Sequence, residues 1–335
     1  MLSAPAGQLV DRFGRVGRDL RVSLTDRCNL RCVYCMPAEG LQWLPKPQLL
    51  TDDEIVRLVR IAVELGITSV RFTGGEPLLR RGLPDIVRRI GELEPRPSMA
   101  LTTNGIGLDR LAQPLADAGL DRINVSLDTL DREQFAALAR RDRLDDVLAG
   151  LAAAARSGLA PVKVNAVVMR EINYASAPEL LRWCLEQGYQ LRFIEQMPLD
   201  PQHGWDRSTM VTATEVLELL SQHFELTPEG ESVRGSAPAE TWIVDGGPGK
   251  VGIIGSVTRP FCGACDRVRL TADGQLRNCL FARGESDLRA PMRAGASDDE
   301  LAEIFKSTMW AKRAGHGIDD PNFLQPSRPM SAIGG

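Results

Sequence analysis

Three cysteines fall within eight positions of the stretch CNLRCVYC, residues 28–35 of a 335-residue chain that holds seven. The spacing Cys28-x3-Cys32-x2-Cys35 delivers three thiolates from one loop, and no fourth cysteine or histidine lies nearby. A structural zinc site normally closes with four protein ligands. A [4Fe–4S] cluster normally takes four cysteines, so three leave one iron with an open position. An open iron suits chemistry better than electron storage, because another molecule can chelate it.

Cys262, Cys265 and Cys279 form a second set, with thirteen residues between the last two. Ala272-Asp273-Gly274 in that spacer is a hairpin turn signal, which returns Cys279 beside Val268. His316 is the one candidate fourth ligand near in sequence, and with it the set would make a small zinc site. Two features favour a second open cluster instead. The first loop already has an iron–sulfur pattern, and Arg267 and Arg269 alternate onto one face beside the second set. Planar guanidinium forks suit phosphate, although arginine is abundant here and strand arginines are often simply exposed. Cys184, in the helical pattern LLRWCLEQG, reads as a small buried hydrophobe.

Six short apolar runs alternate with amphipathic helical patterns: residues 20–24, 69–73, 99–103, 122–127, 162–168 and 191–197. Several of the helical patterns stop at glycine, at Gly66, Gly119, Gly158 and Gly188. Six strands with helical crossovers predict a parallel sheet, open or bent into a partial barrel. Such a sheet carries its chemistry where the strands end. There lie the first cysteine loop, the Gly74-Gly75-Glu76-Pro77 turn, Thr103-Asn104-Gly105, Ser126-Leu127-Asp128 and Glu195-Gln196-Met197-Pro198. Glycines at 74 and 75 admit a close ligand, and Glu76 can accept from an ammonium. Lys163 and Asn165 share one face of the fifth strand, where a charged lysine needs an anion unless that strand lies at an exposed edge. After about residue 210 the pattern turns to short strands joined by Gly and Asp, predicting a smaller β-rich unit. The tail from about 315 has no regular pattern.

On the first cysteine loop and the Gly-Gly-Glu turn the chain resembles the radical S-adenosylmethionine (SAM) superfamily. There the amino and carboxylate groups of SAM bind the open iron, and one electron cleaves SAM to methionine and a 5′-deoxyadenosyl radical. Tyr34 matches the aromatic that contacts adenine, and Gly74, Gly75 and Glu76 match the motif that binds the SAM amino group. Over nearly its whole length the chain is similar to the GTP 3′,8-cyclase family of molybdenum cofactor (molybdopterin) biosynthesis. The further matching motifs are Leu101–Gly105, Val125–Asp128, Lys163–Asn165, Phe193–Met197, the Cys262–Cys279 set and the terminal Gly334-Gly335.

That resemblance implies an α/β fold, a partial (βα)6 TIM-like barrel over residues 1–210. Residues 211–335 would form a smaller β-rich domain with a second iron–sulfur site. The radical would take hydrogen from ribose C3′ of GTP, and the carbon radical would attack C8. The product would be (8S)-3′,8-cyclo-7,8-dihydroguanosine 5′-triphosphate, passed to a cyclic pyranopterin monophosphate synthase. The cofactors implied are two [4Fe–4S] clusters and SAM, with electrons from a flavodoxin- or ferredoxin-type donor. Tyr34, Gly74, Gly75, Glu76, Ser126 and Met197 would bind SAM. Arg21, Arg71, Thr102, Lys163, Arg267 and Arg269 would bind GTP, whose guanine would meet the open iron of the second cluster through ring and exocyclic nitrogens. Arg267, Arg269 and the Gly334-Gly335 tail would act in catalysis, the tail entering the site to assist radical initiation.

Composition narrows the partners. A net charge of −4 does not favour a nucleic-acid-coating surface. No run approaches a membrane span, and Asp11 and Arg12 stand where a signal peptide needs apolar residues, so a cytoplasmic monomer or homodimer is expected. Clustered, odd-numbered cysteines fit a disulfide framework poorly. There is no P-loop, and His203, His223 and His316 stand away from any nucleophilic arrangement. Two rivals remain. A peptide-modifying radical SAM maturase would generally carry more C-terminal cysteines, and a zinc-stapled binding protein would be colourless.

Overall fold

The computed structural model describes residues 7–230 and 234–334. Six parallel strands follow one another in chain order: β1 Asp19–Ser23, β2 Ser69–Thr73, β3 Ser98–Thr103, β4 Arg122–Ser126, β5 Val162–Val168 and β6 Gln190–Glu195. The crossovers carry α1 Asp52–Glu64, α2 Leu83–Gly91, α3 Leu108–Asp117, α4 Arg132–Ala139, α5 Leu144–Arg156 and α6 Ala177–Glu186. In β5 the alternation is complete: Val162, Val164, Ala166 and Val168 are buried, while Lys163, Asn165 and Val167 line the inner cavity. α1 begins where Thr51 and Glu54 bond each other's backbone amides, and it buries Ile55, Leu58, Val59, Ile61, Ala62 and Val63.

The strands past residue 210 extend this same sheet at both edges. β7 Leu226–Pro228, β8 Glu240–Val244 and β9 Lys250–Ile254 continue it from β6, with β9 parallel to β6. β10 Arg267–Leu270, β11 Gln275–Arg277 and β12 Ser286–Asp287 continue it from β1, with β10 parallel to β1. Among the described residues the result is one twelve-stranded sheet. An open six-stranded barrel has two raw edges, and pairing them removes templates for association.

Two expectations change. β11 ends at Arg277, so Cys279 lies in the loop beyond it and not in a strand beside Val268. The helix Asp298–Trp310 and α4 were not among the expected helical patterns. The main core fills the space between strands and helices. A smaller one gathers Leu199, Met210, Val257, Phe281, Ile318 and Ile333 under the C-terminal segment. Among the described residues, no helix is long and apolar enough to cross a membrane.

Candidate active site

One cavity of about 650 Å³ runs through the barrel, and both cysteine trios line it. The first trio lies on the loop after β1, where the amides of Cys35 and Met36 both donate to the Cys32 carbonyl at 2.9 Å. Burial holds these thiols protonated: Cys35 is pushed up to about 12, and Cys32 goes well above its ordinary value, with Asp128 adding to the effect. Three free thiols from one loop line this one cavity, a donor set that fits a metal centre, which displaces the thiol protons and supplies positive charge.

Gly74 and Gly75 are required by how closely this loop meets its neighbour. A Cβ on Gly74 would stand 2.4 Å from the Thr25 carbonyl oxygen, and one on Gly75 would stand 2.3 Å from that of Arg27. The amides of Gly75 and Glu76 donate to those carbonyls at 2.8 and 2.7 Å, which locks the two loops together. The Glu76 side chain lies behind the cavity wall. Its carboxylate accepts from Thr103 Oγ1 and the Asn104 amide at 2.7 Å and from the Leu78 amide at 2.9 Å. Burial still raises it to about 7.

Tyr34, Ser126 and Met197 line the cavity. The Tyr34 hydroxyl donates to Asp128 Oδ2 at 2.9 Å, and the Val167 amide donates to Asp128 Oδ1 at 2.8 Å. Asp128, raised to about 6 by burial, is a wall residue the sequence reading left without a role. Glu195 is structural: it accepts from the amides of Ala213, Val257 and Thr258 at 2.7–2.9 Å and thereby fixes the loop that carries Met197.

Between the trios the wall is cationic. Parallel register sets Arg21 beside both Arg71 and Arg269, and Lys163 and Thr102 join them in the cavity wall. Arg122 and Arg192 stand there too, unrecognised from sequence. Burial, offset in part by Asp19, lowers Arg21 to about 9 and Arg71 to about 10. Burial and then the neighbouring arginines lower Lys163 to about 7 and Arg269 to about 9. Arg21 Nε and Arg71 Nε and Nη1 are buried without partners. Such a group is costly until an anion enters.

Arg267 and Arg269 differ in task. Arg267 Nη2 donates to the Ser236 carbonyl at 2.6 Å, and its guanidinium lies over the Phe261 ring at 4.9 Å. Arg269 donates to the Gly334 carbonyl. Gly334 has φ +82°, and a Cβ there would stand 2.3 Å from Ser23 Oγ, so this position admits only glycine without displacement. The segment before it is clamped by Arg328, which bonds Asp273 Oδ1 and Oδ2 at 2.9 and 2.8 Å and Glu285 at 2.7 Å. Gly335 lies outside the described residues.

A parallel partial barrel with three thiols on its first βα loop and Gly-Gly-Glu on its second defines a radical SAM enzyme, which uses SAM and a [4Fe–4S] cluster. Residues 22–184 match the Radical SAM superfamily, and residues 189–318 match Molybdenum Cofactor Synthesis C. The chain is 67% identical to the GTP 3′,8-cyclase of Streptomyces coelicolor, covering 98% of this chain and 96% of that protein. It is 62% identical to that of Mycolicibacterium smegmatis, covering 99% and 93%. The chain belongs to the GTP 3′,8-cyclase family. Among solved structures, Streptococcus suis SuiB bound to S-adenosylmethionine shares the fold, with a TM-score of 0.58 at 15% identity over 88% of this chain and 69% of that one.

Proposed function

We propose that the chain cyclises GTP to (8S)-3′,8-cyclo-7,8-dihydroguanosine 5′-triphosphate, using SAM at one end of the cavity and holding GTP between the two trios. The observation that carries the reading is the shared cavity: two separate thiol trios and a set of partnerless buried cations line one space. The family membership supports GTP as the substrate.

Cys28, Cys32 and Cys35 would hold a [4Fe–4S] cluster, which with SAM supplies a radical able to abstract hydrogen. Tyr34, Gly74, Gly75, Ser126 and Met197 shape the SAM end; Glu76 acts by fixing the Gly-Gly turn. Arg21, Arg71, Lys163 and Arg269 neutralise the triphosphate, with Arg122 and Arg192 added to them, and Thr102 borders the nucleotide. Cys262, Cys265 and Cys279 would hold a second [4Fe–4S] cluster beside the base. Arg269 also fixes Gly334 inside the barrel, which keeps water out and sets the nucleotide against the SAM end. Residues 211–335 then form the substrate-side unit, within one sheet with 1–210. A flavodoxin- or ferredoxin-type donor and a cyclic pyranopterin monophosphate synthase are the proposed partners, in the cytoplasm, where free thiols persist. Monomer and homodimer are both compatible with this reading.

Anaerobic turnover with GTP, SAM and dithionite tests it. 5′-Deoxyadenosine and a cyclised GTP product should appear together. Deoxyadenosine alone would send the search to another substrate.

A further inference from the structure

Four arginines gather on the first cysteine loop without lining the cavity, so neither SAM nor GTP accounts for them. Arg27 and Arg141 are exposed, and Arg31 and Arg140 are half-buried. The Arg31 amide donates to the Ala139 carbonyl at 3.0 Å and the Val33 amide to that of Leu138 at 2.9 Å, which lays the end of α4 along the loop. Arg31 Nη1 donates to the carbonyls of Cys28 and Leu30, both at 2.8 Å, and its guanidinium lies over the Trp43 ring at 5.4 Å. Arg140 Nη1 donates to the Met36 carbonyl at 3.0 Å, from a backbone at φ +52° that glycine would take more easily. Arg141 Nη1 in turn donates to the Arg140 carbonyl at 2.7 Å.

The neighbouring surface matches charge with charge. Asp142, next along the chain, is taken by Arg132, and Arg143 pairs with Asp146. The four arginines on the loop differ: among the described residues none of them forms an ion pair with a carboxylate. Glu39 is the lone carboxylate in residues 27–43 and 138–141, and the chain as a whole carries −4. A positive patch on a negative protein draws an acidic partner to that one place and repels it elsewhere. None of the large exposed hydrophobic side chains falls in these two segments. A charged face of this kind suits the brief encounters of electron carriers, which bury less area than stable complexes.

We infer that Arg27, Arg31, Arg140 and Arg141 form the docking face for a small acidic one-electron carrier, a low-potential ferredoxin, which delivers its electron at the outer side of the Cys28–Cys35 loop. This deepens the donor reading above and rests on it. One electron leaves the [2Fe–2S] cluster of the ferredoxin and one enters the iron held by the first trio; no bond forms or breaks, and no proton moves. Arg31 and Arg140 tie the face to the loop through its carbonyls, while Arg27 and Arg141 supply exposed charge that steers the partner.

The test is anaerobic binding of a plant-type [2Fe–2S] ferredoxin to the full chain with its clusters reconstituted, at low and high salt, beside stopped-flow oxidation of the reduced ferredoxin. Wild-type affinity should fall as salt rises. Arg141→Glu should weaken binding about tenfold at low salt, a gap that closes at high salt, while dithionite-driven deoxyadenosine formation stays at the wild-type level. Glu39→Arg should tighten binding and speed ferredoxin oxidation, a gain that damage to the fold cannot produce. Arg12→Glu combined with Arg313→Glu reverses two exposed charges on the side of the second trio, where Arg15 joins the carbonyls of Cys262 and Arg313, and should change nothing. Unchanged binding in both Arg141→Glu and Glu39→Arg overturns the docking face. So does a loss confined to the Arg12 and Arg313 pair, which would bring the electron in at the second trio. A wild type that neither binds nor oxidises the ferredoxin overturns the donor reading together with the face, and leaves the cyclase reading to the dithionite turnover.

Discussion

The two cysteine trios meet one cavity in opposite electrostatic settings. Around Cys28, Cys32 and Cys35 the buried partners are acidic: Asp128 raises Cys32 beyond what burial does, and Glu76 backs the adjoining turn. Around Cys262, Cys265 and Cys279 they are basic. Burial pushes Cys265 up, yet Lys312 and Arg267 bring it below its ordinary value. Arg15 donates to the Cys262 carbonyl at 2.6 Å, and buried Lys312 to that of Arg267, also at 2.6 Å. On the proposed reading, similar loops of three thiols would serve ligands of opposite charge. SAM would bring a sulfonium and an ammonium to the acidic end, while GTP would bring its polyanion to the cationic wall that leads to the basic one.

Removing a thiol from either end tests this contrast most severely. Cys35→Ala should reduce 5′-deoxyadenosine formation to background. Cys279→Ala should spare deoxyadenosine and remove the cyclised product, with iron falling from about eight to about four per chain. If Cys279→Ala stops both, the division of labour is wrong.

Next in size is the cation set. Arg71→Ala should weaken GTP binding by roughly 10–100-fold, as charged hydrogen bonds to phosphate warrant, with SAM binding unchanged. Parallel weakening of SAM would show that the two ends are not separate.

The clamp on the C-terminal segment comes third. Arg328→Ala should cut product formation about tenfold by freeing the segment that carries Gly334. A peptide of residues 324–335 added in trans should restore part of it. No rescue would reduce Arg328 to a surface ion pair.

The smallest effect is in pH. Lys163 sits near 7 before substrate arrives, lowered by burial and by Arg192, Arg122 and Arg71. Its charged form binds triphosphate, so GTP affinity should fall as pH rises above 7, by at most about tenfold per unit. Binding should take up a proton near pH 8. Lys163→Arg should flatten the profile, and a wild-type profile already flat would remove Lys163 from the phosphate site.

Much of this was legible because it is local. The alternation in β5 placed Lys163 and Asn165 on one face, and loop spacing found both trios. Arg192 escaped although it follows the same rule, since β6 alternates Arg192 and Ile194 into the cavity. Arg122, at the start of β4, looks like a solvent-facing strand end until the barrel closes around it. The helix Asp298–Trp310 carried a readable signal, Ser297 and Glu300 bonding each other's amides. What sequence could not convey was long-range pairing. Nothing near β1 announces that Arg21 will lie against Arg269, because that register depends on strands far apart in the chain. The inward turn of Glu76 was hidden for the same reason, since its partners Thr103 and Asn104 arrive with the next strand.

The closing of both sheet edges by late residues also sets a timetable for synthesis. Residues 19–22 wait for residues 267–270, and β6 waits for β9. At roughly 5–20 residues per second the nascent barrel carries a raw β1 edge for on the order of ten seconds or more. During that interval it is open to pairing with other chains. A fragment ending near residue 188, between the two matched families, would keep that exposure permanently.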